Sequence, residues 1–148
     1  MNGWGSDMAS KNDMGGLKIL IIDDTHESRL MLKNMLTTIG VNQVFEAGDG
    51  REGLRFIDSA FDFVDIILCD WNMPGLSGLD LLRQLRSVDP KFPFMMVTGR
   101  GDITSVSEAK GAGVSGYILK PYSIGQLEAK LRIVATKAEK LPQAAPAP

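Results

Sequence analysis

The chain has 148 residues, 44% of them hydrophobic and 23% charged, which suits one domain with a sizeable core. Sixteen Lys and Arg against 18 Asp and Glu leave a net charge of −2, which gives no electrostatic case for nucleic acid or an anionic membrane as partner. A single Cys and a single His exclude an intramolecular disulfide and a Cys/His zinc site.

Residues 1–16 are rich in Gly, Ser, Asn and Asp and read as a flexible N-terminal tail. They lack a basic segment followed by an apolar one, so no signal peptide is predicted. LKILIID (17–23) reads as a buried strand. A helix follows, with Leu32, Met35, Leu36 and Ile39 on one stripe and Gly40 as its stop. VNQVFEA is a second strand and DGREGLRFIDSA a short helix. VDIILCD is the third strand, and LDLLRQLRSV a helix with Leu81, Leu85 and Val88 on one face. FPFMMVT is the fourth strand. DITSVSEAKGAG is a weak helix, rich in Ser, Thr and β-branched residues, with a thin stripe of Ile103, Val106 and Ala109. SGYILK is the fifth strand. SIGQLEAKLRIVATKAEK closes the domain (17–139) as a helix with Ile124, Leu127, Leu131 and Val134 inward, and residues 140–148 form a Pro/Ala-rich C-terminal tail. No apolar run is long enough to cross a bilayer.

Five strands alternate with five helices. Strands that are apolar on both faces and joined by helical crossovers predict a parallel sheet covered on both sides. In such sheets, sites form outside the carboxyl ends of the strands. Those ends carry the chain's unusual residues: Asp23-Asp24 after strand one, Asp70 after strand three, Thr98-Gly99 after strand four and Lys120-Pro121 after strand five. Three carboxylates brought together repel, and a hard divalent cation relieves that repulsion. Mg²⁺ takes one or two carboxylates and keeps positions open for phosphate oxygens. A lysine pairs with carboxylate or phosphoryl oxygen as a point charge. A carboxylate can also attack phosphorus, giving an aspartyl-phosphate.

This set resembles the receiver domain of two-component response regulators, most closely the single-domain, chemotaxis-type (CheY-like) regulators. The likeness rests on DD at 23–24, CDWNMPGLSG around Asp70, MVTG with Thr98 and GYILKPY with Lys120, and it covers roughly residues 17 to 136. Each piece alone is common; the ordered set is specific. The resemblance implies a flavodoxin-like (βα)5 fold of class α/β with strand order 2-1-3-4-5, an order that comes with the family, of which CheY is itself a standard illustration. It implies that Asp70 accepts a phosphoryl group from a histidine kinase or phosphotransfer protein. Asp23, Asp24 and Asp70, with the Asn72 backbone carbonyl, would hold Mg²⁺. Thr98 and Lys120 would grip the phosphoryl oxygens, with Lys120-Pro121 as a cis peptide. Tyr117 would change rotamer as Thr98 moves, and Asn72 and Arg100 would tune the lifetime of the phosphate. Gly99 would leave room for the donor, and Trp71 would cover the edge of the site. An output protein would read the face made by the fourth helix, fifth strand and fifth helix. Such a domain catalyses only its own phosphotransfer and dephosphorylation, and it would be cytoplasmic.

Other features carry less. Cys69 reads as a small buried side chain, and His26 as part of a solvated face. GAGVSG (111–116) matches G-x-G-x-x-G, but it follows a helix and opens a strand, so it is not a dinucleotide loop. GRGD (99–102) is taken as coincidence. Only LPQAAPAP follows the last helix, so a stand-alone regulator is expected, with a fragment of a larger regulator or a non-phosphorylated docking domain as alternatives. A phosphatase using an aspartyl-phosphate would want a carboxylate two residues after Asp70, where Asn72 stands. A flavodoxin-like cofactor binder would want a Ser/Thr/Gly-rich loop in place of DDTHES.

Overall fold

The computed structural model describes residues 13–141. Five parallel strands form one sheet in the order β2-β1-β3-β4-β5. They are β1 (Lys18–Ile22), β2 (Gln43–Ala47), β3 (Ile66–Cys69), β4 (Phe94–Thr98) and β5 (Gly116–Leu119). The crossovers are α1 (His26–Ile39), α2 (Gly50–Ala60), α3 (Gly78–Val88), α4 (Ile103–Gly111) and α5 (Ile124–Lys137). This is the predicted fold.

Burial follows the strand order. Every residue of β3 and β4 is buried, and β1 lacks only Lys18. The edge strands β2 and β5 are only partly covered. Alternate residues of the inner strands serve two separate cores. Ile19, Ile21, Ile66, Leu68, Met95 and Val97 meet α1 and α5 through Leu32, Leu36, Leu127 and Leu131. Leu20, Ile22, Ile67, Cys69, Phe94 and Met96 meet the other helices through Ile57, Leu81, Leu85 and Ala109. In-register pairing, Ile22 with both Ala47 and Cys69 and Thr98 with Leu119, brings the carboxyl ends of the strands to one edge.

Helix boundaries follow local chemistry. Ser77 with Asp80, and Ser123 with Gln126, form reciprocal capping boxes at α3 and α5. Asp102 caps α4 by accepting from the Ser105 N–H. Gly40, with φ 115°, closes α1 in the left-handed region.

Several expectations need correction. Asp13–Gly16 is a 3-10 turn and Met14 is fully buried, so the end of the expected N-terminal tail belongs to the core. Leu141, assigned to the C-terminal tail, is also buried. The rest of both predicted tails, 1–12 and 142–148, lies outside the described residues. Val88, expected on one face with Leu81 and Leu85, and Ile124, expected to face inward, are exposed; each is a terminal residue of its helix. Ile103 is 85% exposed, and the buried positions of α4 are Ser105 and Ala109.

Candidate functional site

Each strand of the central pair ends where its apolar cover ends, and the next side chain is a carboxylate. Asp23 follows β1 and Asp70 follows β3; the Asp70 N–H donates to the Ile22 carbonyl at 2.9 Å, extending the ladder by one bond. Asp23 is buried, Asp70 half-buried and Asp24 exposed. Oxygens of the three lie within 4.8 Å of one another.

Lys120 answers this charge from the end of β5. Its ammonium donates to Asp23 Oδ2 and Asp70 Oδ2, both at 3.2 Å, and to Ser28 Oγ at 3.0 Å. Burial lowers the affinity of Lys120 for its proton, but Asp70 and Asp23 more than offset that, and its pKa stands above the ordinary lysine value. The Lys120-Pro121 peptide is cis. The remaining carboxylate oxygens are held by backbone. Asp23 Oδ1 accepts from the Thr25 N–H at 2.9 Å, and Asp70 Oδ1 from the Trp71 N–H at 2.7 Å.

The turn after Asp70 is shaped by two glycines. Gly75 has φ 76°, which a side chain disfavours. Gly78 donates its N–H to the Trp71 carbonyl at 2.8 Å, and a Cβ there would run into the Asp70 backbone carbonyl. Trp71 is buried in the second core, as a cover to the edge of the site. The Arg100 guanidinium lies 4.9 Å from its ring centroid and donates from Nε (3.0 Å) and a terminal nitrogen (2.8 Å) to Asn72 Oδ1.

Thr98 is fully buried at the end of β4, and its Oγ1 accepts from the Arg100 N–H at 3.3 Å. Tyr117, on β5, donates its hydroxyl to the Arg100 carbonyl. Arg100 therefore touches Thr98, Asn72, Trp71 and Tyr117 at once. A Cβ on Gly99 would meet nothing within 4 Å, so the approach above Thr98 is open. Cys69 is buried, and burial first, then Asp70 and Asp23, push its thiol pKa well up; it is no reactive thiol. His26 is exposed, as expected, with Nδ1 3.4 Å from an Arg29 nitrogen.

The structure thus brings together Asp23, Asp24, Asp70 and Lys120, with Thr98, Asn72, Arg100 and Tyr117 grouped beside them. Sequence reasoning missed Ser28, and also Arg29, which donates to the Asp23 carbonyl at 2.6 Å. Both lie in the first turn of α1, and only the fold brings that turn back over the strand ends.

Residues 19–132 match the response regulator receiver domain family. The chain belongs to that family. Among curated relatives, chemotaxis protein CheY-3 of Vibrio cholerae is 40% identical over 117 residues, covering 78% of this chain and 88% of the relative. Chemotaxis protein CheY of Pseudomonas aeruginosa is 40% identical over 118 residues, covering 78% and 93%. A receiver domain protein from Clostridium thermocellum superposes with a TM-score of 0.77 at 30% identity, covering 83% of this chain and 97% of that one. This receiver is therefore CheY-like in sequence as well as in strand order, and its role is of the two-component signalling kind. Receivers bind Mg²⁺ through an acidic cluster, and the donors here fit that ion. All are hard oxygens, and three negative charges face the single ammonium of Lys120, leaving an excess that a divalent cation matches. Among the described residues, no helix is long and apolar enough to cross a membrane.

Proposed function

We propose that this receiver is a phosphorylation switch in which Asp70 is the phosphoacceptor, Asp23 and Asp24 hold Mg²⁺ with it, and Lys120 and Thr98 bind the phosphoryl oxygens. The carrying observation is the Lys120 ammonium placed 3.2 Å from both Asp23 and Asp70, at the open end of the sheet. An Asp70 oxygen attacks the phosphorus of a kinase phosphohistidine. The P–N bond breaks and its electron pair returns to the imidazole. Later a water attacks the phosphorus, the P–O bond to Asp70 breaks, and carboxylate and inorganic phosphate are restored. Bound Mg²⁺ supplies charge neutralisation and orientation of the phosphoryl oxygens. Lys120 exchanges its Asp70 bond for a phosphoryl oxygen.

The signal leaves through Thr98. If its hydroxyl turns to the phosphoryl group, the bond from the Arg100 N–H is lost and the loop carrying the Tyr117 contact moves. That loop opens α4, whose Ile103 is exposed, next to an edge strand whose Leu119 is 44% exposed. An output protein binding α4, β5 and α5 would meet these apolar groups. Asn72 lies two residues past Asp70 and accepts from the Arg100 guanidinium, and on this reading the pair sets the lifetime of the phosphate. On this reading the chain catalyses only its own phosphotransfer and hydrolysis, in the cytoplasm where such kinases act.

Intact mass after incubation with Mg²⁺ and a small acyl phosphate tests the reading, alongside Asp70→Asn. One phosphoryl added to the wild type alone, and none with EDTA, is the expected result. An adduct on both proteins would mean a different nucleophile, and none on either under rapid quenching would favour a non-phosphorylated docking domain.

A further inference from the structure

An ammonium has three N–H donors. Lys120 spends two of them on carboxylates and the third on a neutral hydroxyl, Ser28 Oγ, at 3.0 Å. The two carboxylates change partners during the reaction proposed above: Asp70 becomes the acyl group of the phosphate, and both belong to the metal-binding set. Ser28 does neither. It is the one acceptor of Lys120 whose charge and bonding stay constant from the resting to the phosphorylated protein.

The position of that hydroxyl is fixed by bonds of its own helix turn. The Thr25 N–H donates to Asp23 Oδ1 at 2.9 Å, and Arg29 donates to the Asp23 carbonyl at 2.6 Å. Leu32 and Leu36, further along α1, are buried in the first core. The turn is therefore held without the serine, and the serine is free to act on the lysine. A lysine carries its charge on a flexible four-carbon stem. Aiming that charge before the phosphoryl group arrives removes the ordering step from the barrier.

We propose that Ser28 is a positioning residue for phosphoryl transfer: its hydroxyl holds the Lys120 ammonium at the carboxyl edge, so that Lys120 can trade Asp70 for the incoming phosphoryl oxygen without leaving the site. The proposal rests on Asp70 being the phosphoacceptor. With an acyl phosphate as donor, the Asp70 oxygen forms the new P–O bond, the donor's P–O bond breaks, and its electron pair leaves on the carboxylate product. Ser28 takes no part in these bonds.

The test compares wild type, Ser28→Ala, Ser28→Thr and Ser28→Val, each with Mg²⁺ and a series of acetyl phosphate concentrations, read as initial rates by quenched intact mass. Loss of the hydroxyl in Ala and Val should lower the maximal rate about five-fold at unchanged half-saturation, with Thr within about two-fold of wild type. Thermal midpoints should not fall, since Ala is a better helix former than Ser and Val and Thr are comparable to it. Independently of metal and donor, the Lys120 ammonium signal in ¹H–¹⁵N spectra should be sharp in wild type and Thr and broadened by exchange in Ala and Val. Equal rates and equal ammonium signals in all four proteins would overturn the proposal and leave Asp70 as phosphoacceptor. Rates that fall only together with the thermal midpoint, with no rescue by Thr, would reduce Ser28 to a structural role and overturn it as well. No adduct on wild type would overturn the Asp70 reading itself and take this role with it.

Discussion

Helix α3 follows the loop that carries Asp70, helix α4 follows the loop that leaves Thr98, and the two are anchored in opposite ways. Helix α3 opens with a reciprocal capping box and buries Gly78, Leu79, Leu81, Leu82 and Leu85. Helix α4 has a single side-chain cap, buries only Ser105 and Ala109, and leaves Ile103 in solvent. Asp70 is thus built against a fixed support, while Thr98, proposed above to sense the phosphoryl group, is joined to an element with little holding it. The switch proposed above needs both. A soft support under Asp70 would blur the geometry of transfer, and a firm α4 would leave the phosphate with nothing to move.

The largest consequence of this contrast is in stability. Leu81→Ala removes a fully buried side chain from the second core and should cost about 3–4 kcal/mol. Ile103→Ala, at the opening of α4, should change stability by less than about 0.5 kcal/mol. Urea midpoints of the two variants measure both. Comparable losses would mean that α4 is as firmly held as α3.

Next is a backbone contact. Gly78→Ala places a Cβ against the Asp70 carbonyl and the Trp71 Cα, and neither can yield without moving Asp70. A loss of about 2–3 kcal/mol is expected, together with a slower phosphorylation rate. Gly111→Ala, at the end of α4, meets nothing within 4 Å and should stabilise by about 0.5–1 kcal/mol.

Smaller again is the difference in local opening. Amides of α4 should exchange with solvent at least about tenfold faster than those of α3, a gap of about 1.4 kcal/mol in opening free energy. Beryllofluoride with Mg²⁺, a stand-in for the phosphoryl group, should shift amides across 99–118 and leave those of 79–88 nearly unmoved. Unchanged shifts across 99–118 would remove α4 as the moving element.

The sequence carried the elements and the polar strand ends because both are local signals. Apolar runs that stop at Asp23, Asp70, Thr98 and Lys120 are visible without a fold. What escaped was anything settled by distance. Met14 and Leu141 are single apolar residues in polar or Pro/Ala-rich surroundings, so no periodicity marks them as core. Val88 and Ile124 keep the helical period but are the terminal residues of their helices, and both are exposed. Ser105 is a hydroxyl on the buried side of α4, against the usual preference. Ser28 is 92 residues from Lys120 in the chain, and no spacing rule joins them.

The two tyrosines give the finest reading of the same contrast, one on each side of the sheet. Tyr122 packs against the core shared by α1 and α5, and burial, helped by the Asp23 charge, pushes its pKa up to about 12. Tyr117 packs on the α4 side. Burial and Asp102 raise its pKa too, Arg100 works against them, and Asp70 adds a smaller push. A raised phenol pKa means that the folded protein keeps a proton which the unfolded chain releases near 10. That contribution to stability is complete below about pH 10 and is lost as pH rises toward about 12. Phenolate absorbance should therefore grow in two steps, Tyr117 before Tyr122, with urea midpoints falling through the same window. Tyr117→Phe should remove the first step and leave one phenol titrating up to about 12. If the remaining phenol titrated near 10 in the folded protein, Tyr122 would lie in solvent, and the start of α5 would be as loosely held as α4.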